Sequence, residues 1–159
     1  MAHCVLCDTD GGLLLHRAPN WRLIRATDTP AYPAFYRVVW NAHVAELSDL
    51  SDAERRECLD AVTRVERLMR QHLSPTKINL AALGNMVPHL HWHLIARFEG
   101  DSHFPAPIWA PAQREPLPAA LAALMWSQCA AFGSSSVSTS VICPSGTCPI
   151  VPITSGCPA

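Results

Sequence analysis

Histidine occupies every second position of the segment His89–His93, which reads His-Leu-His-Trp-His and continues with Leu-Ile. Side chains of a β-strand point alternately to its two faces, so this pattern predicts a strand with three imidazoles on one face and apolar side chains on the other. The apolar face requires a hydrophobic core behind it. The segment therefore predicts a sheet that packs on one side and carries a chemical site on the other.

The residues before this segment supply further elements for such a sheet. Apolar or alternating runs predict strands at Leu13–Leu15, Trp21–Ala26, Phe35–Trp40 and Lys77–Leu83. Ser51 and Glu54 form a capping box, and apolar residues then recur every three or four positions, which predicts a long helix ending near Pro75. Strands, one long helix and further strands favour an α+β fold with an antiparallel sheet.

Charge is confined to one part of the chain. The 12 basic and 13 acidic residues all lie at or before Glu115, and the formal net charge is -1. No broad positive field exists to attract nucleic acid or an anionic membrane, so a bound phosphate must be held by local groups. No run has the length and apolar character of a membrane span.

The seven cysteines bear on the compartment. The first residues do not resemble an export signal, so the cysteines are interpreted as thiols or metal ligands rather than disulfides. We therefore expect a soluble, cytoplasmic protein with no nucleic-acid or membrane partner.

The composition divides the chain into three parts. Residues 1–115 have the composition of a soluble catalytic domain, and their Pro-rich segment 101–111 is expected to lie against the domain or a partner subunit. The composition of residues 116–132 predicts either a short apolar helix or an apolar segment that wraps around the domain. Residues 133–159 are a charge-free mixture of Ser, Thr, Cys and Pro without periodicity, which predicts a disordered tail.

The three alternating histidines are too widely spaced to share one metal ion easily. On an ideal strand the Cα atoms of His89 and His93 lie about 13 Å apart, whereas zinc–nitrogen bonds are about 2.1 Å long. At least one histidine is therefore expected to serve as a base, a nucleophile or a phosphate ligand.

Cys4 and Cys7 form a Cys-x-x-Cys pair, which fits a zinc knuckle, a redox dithiol or chance. A structural zinc site needs two more ligands. His43, after one predicted strand, and His89, at the start of another, are the best placed, with His3 as a competitor.

The alternating histidine motif, the preceding Gly-Asn-Met-Val-Pro loop (residues 84–88) and the long helix together resemble the signature of the histidine-triad (HIT) superfamily. The resemblance extends from about Cys4 to Arg97 and is closest to bacterial HIT-like hydrolases with a Cys-x-x-Cys zinc site. It implies an α+β HIT-like fold with a five-stranded antiparallel sheet, a homodimer and a nucleotide substrate. Members of this superfamily hydrolyse or transfer nucleoside phosphate groups through a covalent nucleotidyl-histidine.

The resemblance also implies roles for single residues. His91 is the nucleophile at the α-phosphorus of a phosphoramidate, an adenylate or a dinucleoside polyphosphate, His93 lies beside the phosphate, and His89 is fixed next to His91. The implied nucleotide-binding residues are Asp28, Asn79, Gly84 and Asn85. The implied structural zinc ligands are Cys4, Cys7, His43 and His89, the same four suggested by the spacing.

Substitutions in the loop put substrate choice and turnover in question. Many relatives have Gln where Asn85 stands and Ser where Met86 stands, so this chain lacks some phosphate contacts of those relatives. His93, where another branch has Gln, favours the hydrolases over the nucleotidyltransferases.

Three functions remain open from the sequence. The first is a nucleotide phosphohydrolase or phosphoramidase. The second is a zinc-stabilised nucleotide-binding regulatory protein with little or no turnover. The third is a metallohydrolase that uses the histidines as an open metal site.

Overall fold

Five antiparallel strands form a single sheet in the computed structural model, which describes residues 3–32 and 34–115. The strands are β1 (Leu13–Arg17), β2 (Trp21–Arg25), β3 (Phe35–Trp40), β4 (Lys77–Ala81) and β5 (His91–Arg97). Their order across the sheet is β1-β2-β3-β5-β4, so the histidine-bearing strand β5 lies between β3 and β4. The predicted α+β fold with a five-stranded antiparallel sheet is confirmed, whereas the helix predicted within 116–132 and the disorder predicted for 133–159 lie outside the described residues.

Within the described residues, two helices and one 3₁₀ turn accompany the sheet: α1 (Val5–Asp8), the turn Leu47–Asp49 and α2 (Asp52–Leu73). Helix α2 begins at the predicted capping box, in which Ser51 Oγ accepts from the Glu54 amide and Glu54 Oε2 accepts from the Ser51 amide. It ends at Ser74, whose φ of 45° is left-handed, one residue before Pro75. No helix of residues 3–32 and 34–115 is long and apolar enough to cross a membrane.

Helix α2 packs on one face of the sheet and forms the main core. Val65 and Met69 of the helix are fully buried there, as are Tyr36 of β3 and Leu94 of β5. The alternation predicted for β5 thus places its apolar side chains against the helix.

The opposite face of the sheet is covered at its two ends and open between them. The N-terminal residues pack through Leu6 on Ile24 and Val39. At the other end, Ile108 packs on Phe35 and Ile95 in a second small cluster, so the Pro-rich segment lies against its own domain. A cleft remains between these two covers.

Strand β5 begins at His91, two residues later than the alternation predicts. The amide of His89 donates to the Val87 carbonyl at 2.8 Å, which places His89 in a turn before the strand. The prediction that all three imidazoles face one site is therefore wrong for His89, because that turn directs its ring to the cysteine pair rather than to the cleft.

Candidate functional site

The cleft on the open face of the sheet has a volume of about 820 Å³. His91 and His93 of β5 form part of its floor. Its walls come from the N-terminal turn, the loop before β5 and the Pro-rich segment, and include Leu6, Gly84, Asn85, Met86, Pro107 and Trp109.

His91 is held in one tautomer by a backbone hydrogen bond. Its Nδ1 donates to the carbonyl of His89 at 2.6 Å. A carbonyl oxygen can only accept, so the proton lies on Nδ1, and Nε2 of the neutral ring carries the free lone pair. Burial lowers the pKa of His91, the bond to His89 opposes this, and the charge of Arg37 lowers it further, so the ring is neutral at pH 7.

His93 lies two residues further along the same face. Its ring centroid is 4.8 Å from that of His91 and 5.5 Å from that of Trp109, with an edge-on orientation in both cases. Burial, His91 and Arg37, in that order, lower the pKa of His93 to about 4, against an opposing effect of Asp28. Its Nδ1 is buried and has no hydrogen-bond partner among the described residues.

Arg37 and Asp28 form an ion pair that also lines the cleft. Nη2 of Arg37 donates to both carboxylate oxygens of Asp28, at 3.0 and 2.7 Å. Partial burial raises the pKa of Asp28, but the hydrogen bonds and charge of Arg37 outweigh it, so the pKa lies below its ordinary value. Asp28 was predicted as a site residue, whereas Arg37 was missed.

The loop before β5 brings two further predicted residues to the cleft. Gly84 has a φ of 69°, in the left-handed region that favours glycine, and the loop turns there toward β5. Asn85 follows it at the cleft, and Met86 is almost fully exposed at the rim. Asn79 is not among the residues that line the cleft, because it lies on β4, where its amide oxygen accepts from Arg97 at 2.7 Å.

A second group of side chains lies beside the cleft. One ligand atom from each of Cys4, Cys7, His43 and His89 is within 4.8 Å of the others. His89 Nδ1 is 3.4 Å from Cys4 Sγ and 3.3 Å from His43 Nδ1. These four residues could bind a metal ion. They are the four predicted, while the competitor His3 pairs with Asp8 instead.

Hydrogen bonds around this cluster orient its ligands. Nε2 of His89 donates to the Trp40 carbonyl at 2.7 Å, so Nδ1 presents its lone pair to the other three residues. Arg22, which is buried, donates to the carbonyl of Leu6 at 2.6 Å and to that of Thr9 at 3.3 Å, and thereby ties the cysteine turn to β2.

Comparisons with known proteins identify relatives of this chain in sequence and in fold. A family model described as the HIT domain matches residues 18–100. A histidine triad protein from Bradyrhizobium japonicum is 27% identical, with a TM-score of 0.62 over 82% of this chain and 96% of that chain. A histidine triad protein from Sinorhizobium meliloti is 25% identical, with a TM-score of 0.60 over 77% of this chain and 90% of that chain.

Two curated relatives, both named AP-4-A phosphorylase and both from Mycobacterium tuberculosis, are 33% identical over 81 residues. The match covers 47% of this chain and 42% of each relative. The chain thus spans less than half the length of these relatives.

Proposed function

Because the chain belongs to the HIT domain family, we propose that it is a nucleotide phosphohydrolase or phosphoramidase that forms a covalent nucleotidyl bond to His91. The reaction takes place at the α-phosphate of a nucleoside phosphate derivative. The observation that carries the proposal is the hydrogen bond from His91 Nδ1 to the His89 carbonyl, which leaves Nε2 as a free nucleophile in a buried, neutral ring.

The reaction proceeds in two displacements at phosphorus. The lone pair of His91 Nε2 forms a bond to the α-phosphorus, the bond to the leaving group breaks, and the leaving group takes the electron pair and, when it is an amine, a proton from solvent. Water then attacks the same phosphorus, releases a proton and returns the electron pair to Nε2. The Nδ1 hydrogen bond stabilises the positive charge that the ring carries in the intermediate.

Other residues of the cleft bind the nucleotide in this proposal. His93 contacts phosphate oxygens, Asp28 accepts from ribose hydroxyls, and Gly84 and Asn85 border the phosphate. Asn79 accepts from Arg97 through Oδ1, so in this proposal its Nδ2 group is the donor to the nucleotide.

We further propose that the metal is zinc and that its role is structural. Ligand atoms around a tetrahedral zinc ion with sulfur and nitrogen ligands are about 3.3–3.8 Å apart, and the three separations from His89 Nδ1 are 3.3–3.5 Å. Four protein ligands leave no open position, so zinc would cross-link the N-terminal turn to His43 and His89 and thereby fix the backbone that orients His91. Elemental analysis of the purified protein identifies the ion.

Replacement of the nucleophile tests the main proposal. His91→Asn is expected to lower hydrolysis of adenosine phosphoramidate, or of the best substrate in a panel of adenylates and dinucleoside polyphosphates, by about a thousandfold or more. His72→Asn, on the exposed surface of α2, is the matched control and should keep wild-type activity. Acid-labile nucleotidyl adducts, measured by mass after rapid quenching, should appear in the wild type and not in His91→Asn.

Two outcomes would contradict the proposal. Wild-type activity of His91→Asn would exclude His91 as the nucleophile. Binding of AMP without an adduct or turnover would favour the alternative, a zinc-stabilised nucleotide-binding regulatory protein.

A second candidate function is phosphorolysis, which the name of the AP-4-A phosphorylase relatives favours. In this reaction phosphate replaces water in the second displacement. With diadenosine tetraphosphate and inorganic phosphate, phosphorolysis yields ADP and ATP, whereas hydrolysis yields AMP and ATP. Chromatography of the products distinguishes the two.

We also propose a homodimer, which the family resemblance supports, and a cytoplasmic location. Sedimentation equilibrium of the metal-loaded protein tests the oligomeric state, and cell fractionation tests the location.

A further inference from the structure

Three arginines on the cleft face of the sheet differ in how many of their side-chain nitrogens donate to protein groups. Arg22 donates from all three. Arg97 donates from two, its Nη2 is buried without a partner among the described residues, and it does not line the cleft. Arg37 donates from Nη2 alone, and its Nε is buried without a hydrogen-bond partner among the described residues. Of these three arginines, Arg37 is therefore the one that lines the cleft and has nitrogens that do not donate to the protein.

Arg37 is placed beside the catalytic strand. Its Cα pairs with that of His93 in the register between β3 and β5, so the two side chains lie on the same face and both line the cleft. His93 also carries a buried nitrogen without a partner in the described part of the chain. Buried polar groups are costly unless they are hydrogen-bonded. Because both side chains line the cleft, their remaining polar atoms are the ones placed to meet a ligand bound there.

The charged residues of the cleft indicate what kind of ligand it binds. Among the described residues that line the cleft, Arg37 is the only one with a permanent positive charge. Met86 at the rim has no donor, and the ring of His93 is neutral at pH 7 because burial, His91 and Arg37 lower its pKa to about 4. For an anion in the cleft, Arg37 is therefore the cationic partner among these residues, and Asp28 offsets part of its charge.

The guanidinium is held before any ligand arrives. Asp28 accepts from Nη2 on one side, and the carbon of the guanidinium lies 4.9 Å from the centre of the Phe35 ring. The Arg37 side chain is only 14% exposed, so little of its conformational freedom remains to be lost when a ligand binds. Such a pre-positioned cation suits the planar, forked recognition of phosphate oxygens.

We propose that Arg37 is the phosphate-recognising residue of the cleft: its free nitrogens donate to nonbridging oxygens of the same nucleotide phosphate that His93 contacts. Asp28 and Phe35 are the positioning residues that hold Arg37. The inference rests on the proposed nucleotide function and adds that the charge for phosphate binding comes from β3 rather than from the loop before β5.

Calorimetric titration of the full, metal-loaded protein with AMP, adenosine and inorganic phosphate tests this role. Arg37→Met is expected to weaken AMP binding by about 10- to 100-fold, the effect of losing charge-assisted hydrogen bonds. Adenosine binding should stay within about twofold, which also verifies the fold of the variant. Arg37→Lys keeps the positive charge but lacks the forked guanidinium, so its affinity for AMP should lie between those of the wild type and Arg37→Met. Arg25→Met is the matched control, because Arg25 lies at the end of β2 on the other face of the sheet.

The results separate this inference from the proposed function. AMP binding within twofold of wild type in Arg37→Met, or equal weakening of AMP and adenosine, would overturn the role of Arg37. If the wild type binds AMP no tighter than inorganic phosphate and Arg37→Met weakens both, Arg37 binds anions and the nucleotide assignment fails. If the wild type binds neither AMP nor phosphate, the role of Arg37 fails even when His91 forms an adduct.

Discussion

His93 is a titratable side chain buried between an aromatic wall and a permanent cation. Only 7% of the residue is exposed, and protonation would place a second positive charge near Arg37, with only the partly exposed Asp28 to offset it. The folded protein therefore resists protonation of this ring. An unfolded chain titrates near the ordinary histidine pKa of about 6.5.

This difference makes stability depend on pH. Because the pKa of His93 falls to about 4 in the folded state, the unfolded state binds more protons below pH 6.5, and stability is lost as the pH falls from there toward 4. The contribution of His93 amounts to about 2 kcal/mol between pH 7 and pH 5. Urea denaturation should show that His93→Gln loses less stability over this interval than the wild type. An identical loss of stability in both proteins would contradict the expectation. Metal binding also depends on pH, but it contributes equally to both proteins and is removed when their losses of stability are subtracted.

Single-residue roles could be predicted where the sequence places like residues at regular spacing. The alternation at His91 and His93 identified both cleft histidines, and the Cys-x-x-Cys spacing identified half of the metal cluster. Arg37 gave no such signal, because a lone arginine in an apolar strand matches no motif and its partner Asp28 lies in another segment. Only the register of β3 against β5 relates Arg37 to His93.

At the scale of elements, the cysteine turn is held to the sheet by β2. Arg22 is 3% exposed and donates to carbonyl groups on both sides of Cys7, those of Leu6 and Thr9. These bonds maintain the turn in the shape that brings Cys4 and Cys7 together. Arg22 therefore supports the cluster of Cys4, Cys7, His43 and His89 without belonging to it.

Removal of this arginine is expected to loosen the metal site. Arg22→Met should weaken retention of the bound metal by about 10- to 100-fold, as is typical when groups that orient metal ligands are lost. Competition with a chromogenic chelator measures the change. Arg17→Met is the matched control, because Arg17 is an exposed neighbour that pairs with Asp10, and it should retain the metal as the wild type does. Equal retention in Arg22→Met would show that the ligands alone define the site.

Elements were predictable to the extent that their signals are local. The capping box and the period of apolar residues defined α2 to within two residues at both ends. The start of β5 could not be predicted in this way. His89 lies in a turn before the strand, where its ring bonds to the Trp40 carbonyl and faces Cys4, Cys7 and His43. These contacts come from residues far from His89 in sequence, so no local pattern indicates them.

On the scale of the whole molecule, the cleft lies between the N-terminal turn and the Pro-rich segment, and a buried arginine of the sheet binds each of them. Arg22 holds the N-terminal turn, and Arg97 donates to Asp101 at 2.8 Å at the start of the Pro-rich segment. Residues 3–115 contain both of these segments, all five strands, α2 and the four side chains that could bind a metal ion. All charged residues of the chain lie within the same limits.

Shortening the chain tests whether residues 133–159 take part in folding. A chain that ends at Phe132 should keep the metal content of the full chain and its free energy of unfolding to within about 0.5 kcal/mol, because it retains every described element. A chain that ends at Glu99 is the positive control: it loses both the Asp101 partner of Arg97 and the packing of Ile108 on Phe35 and Ile95, and it should be destabilised by about 3–5 kcal/mol. Urea denaturation and metal analysis measure both effects. Loss of soluble protein on truncation after Phe132 would show instead that residues 133–159 stabilise the domain.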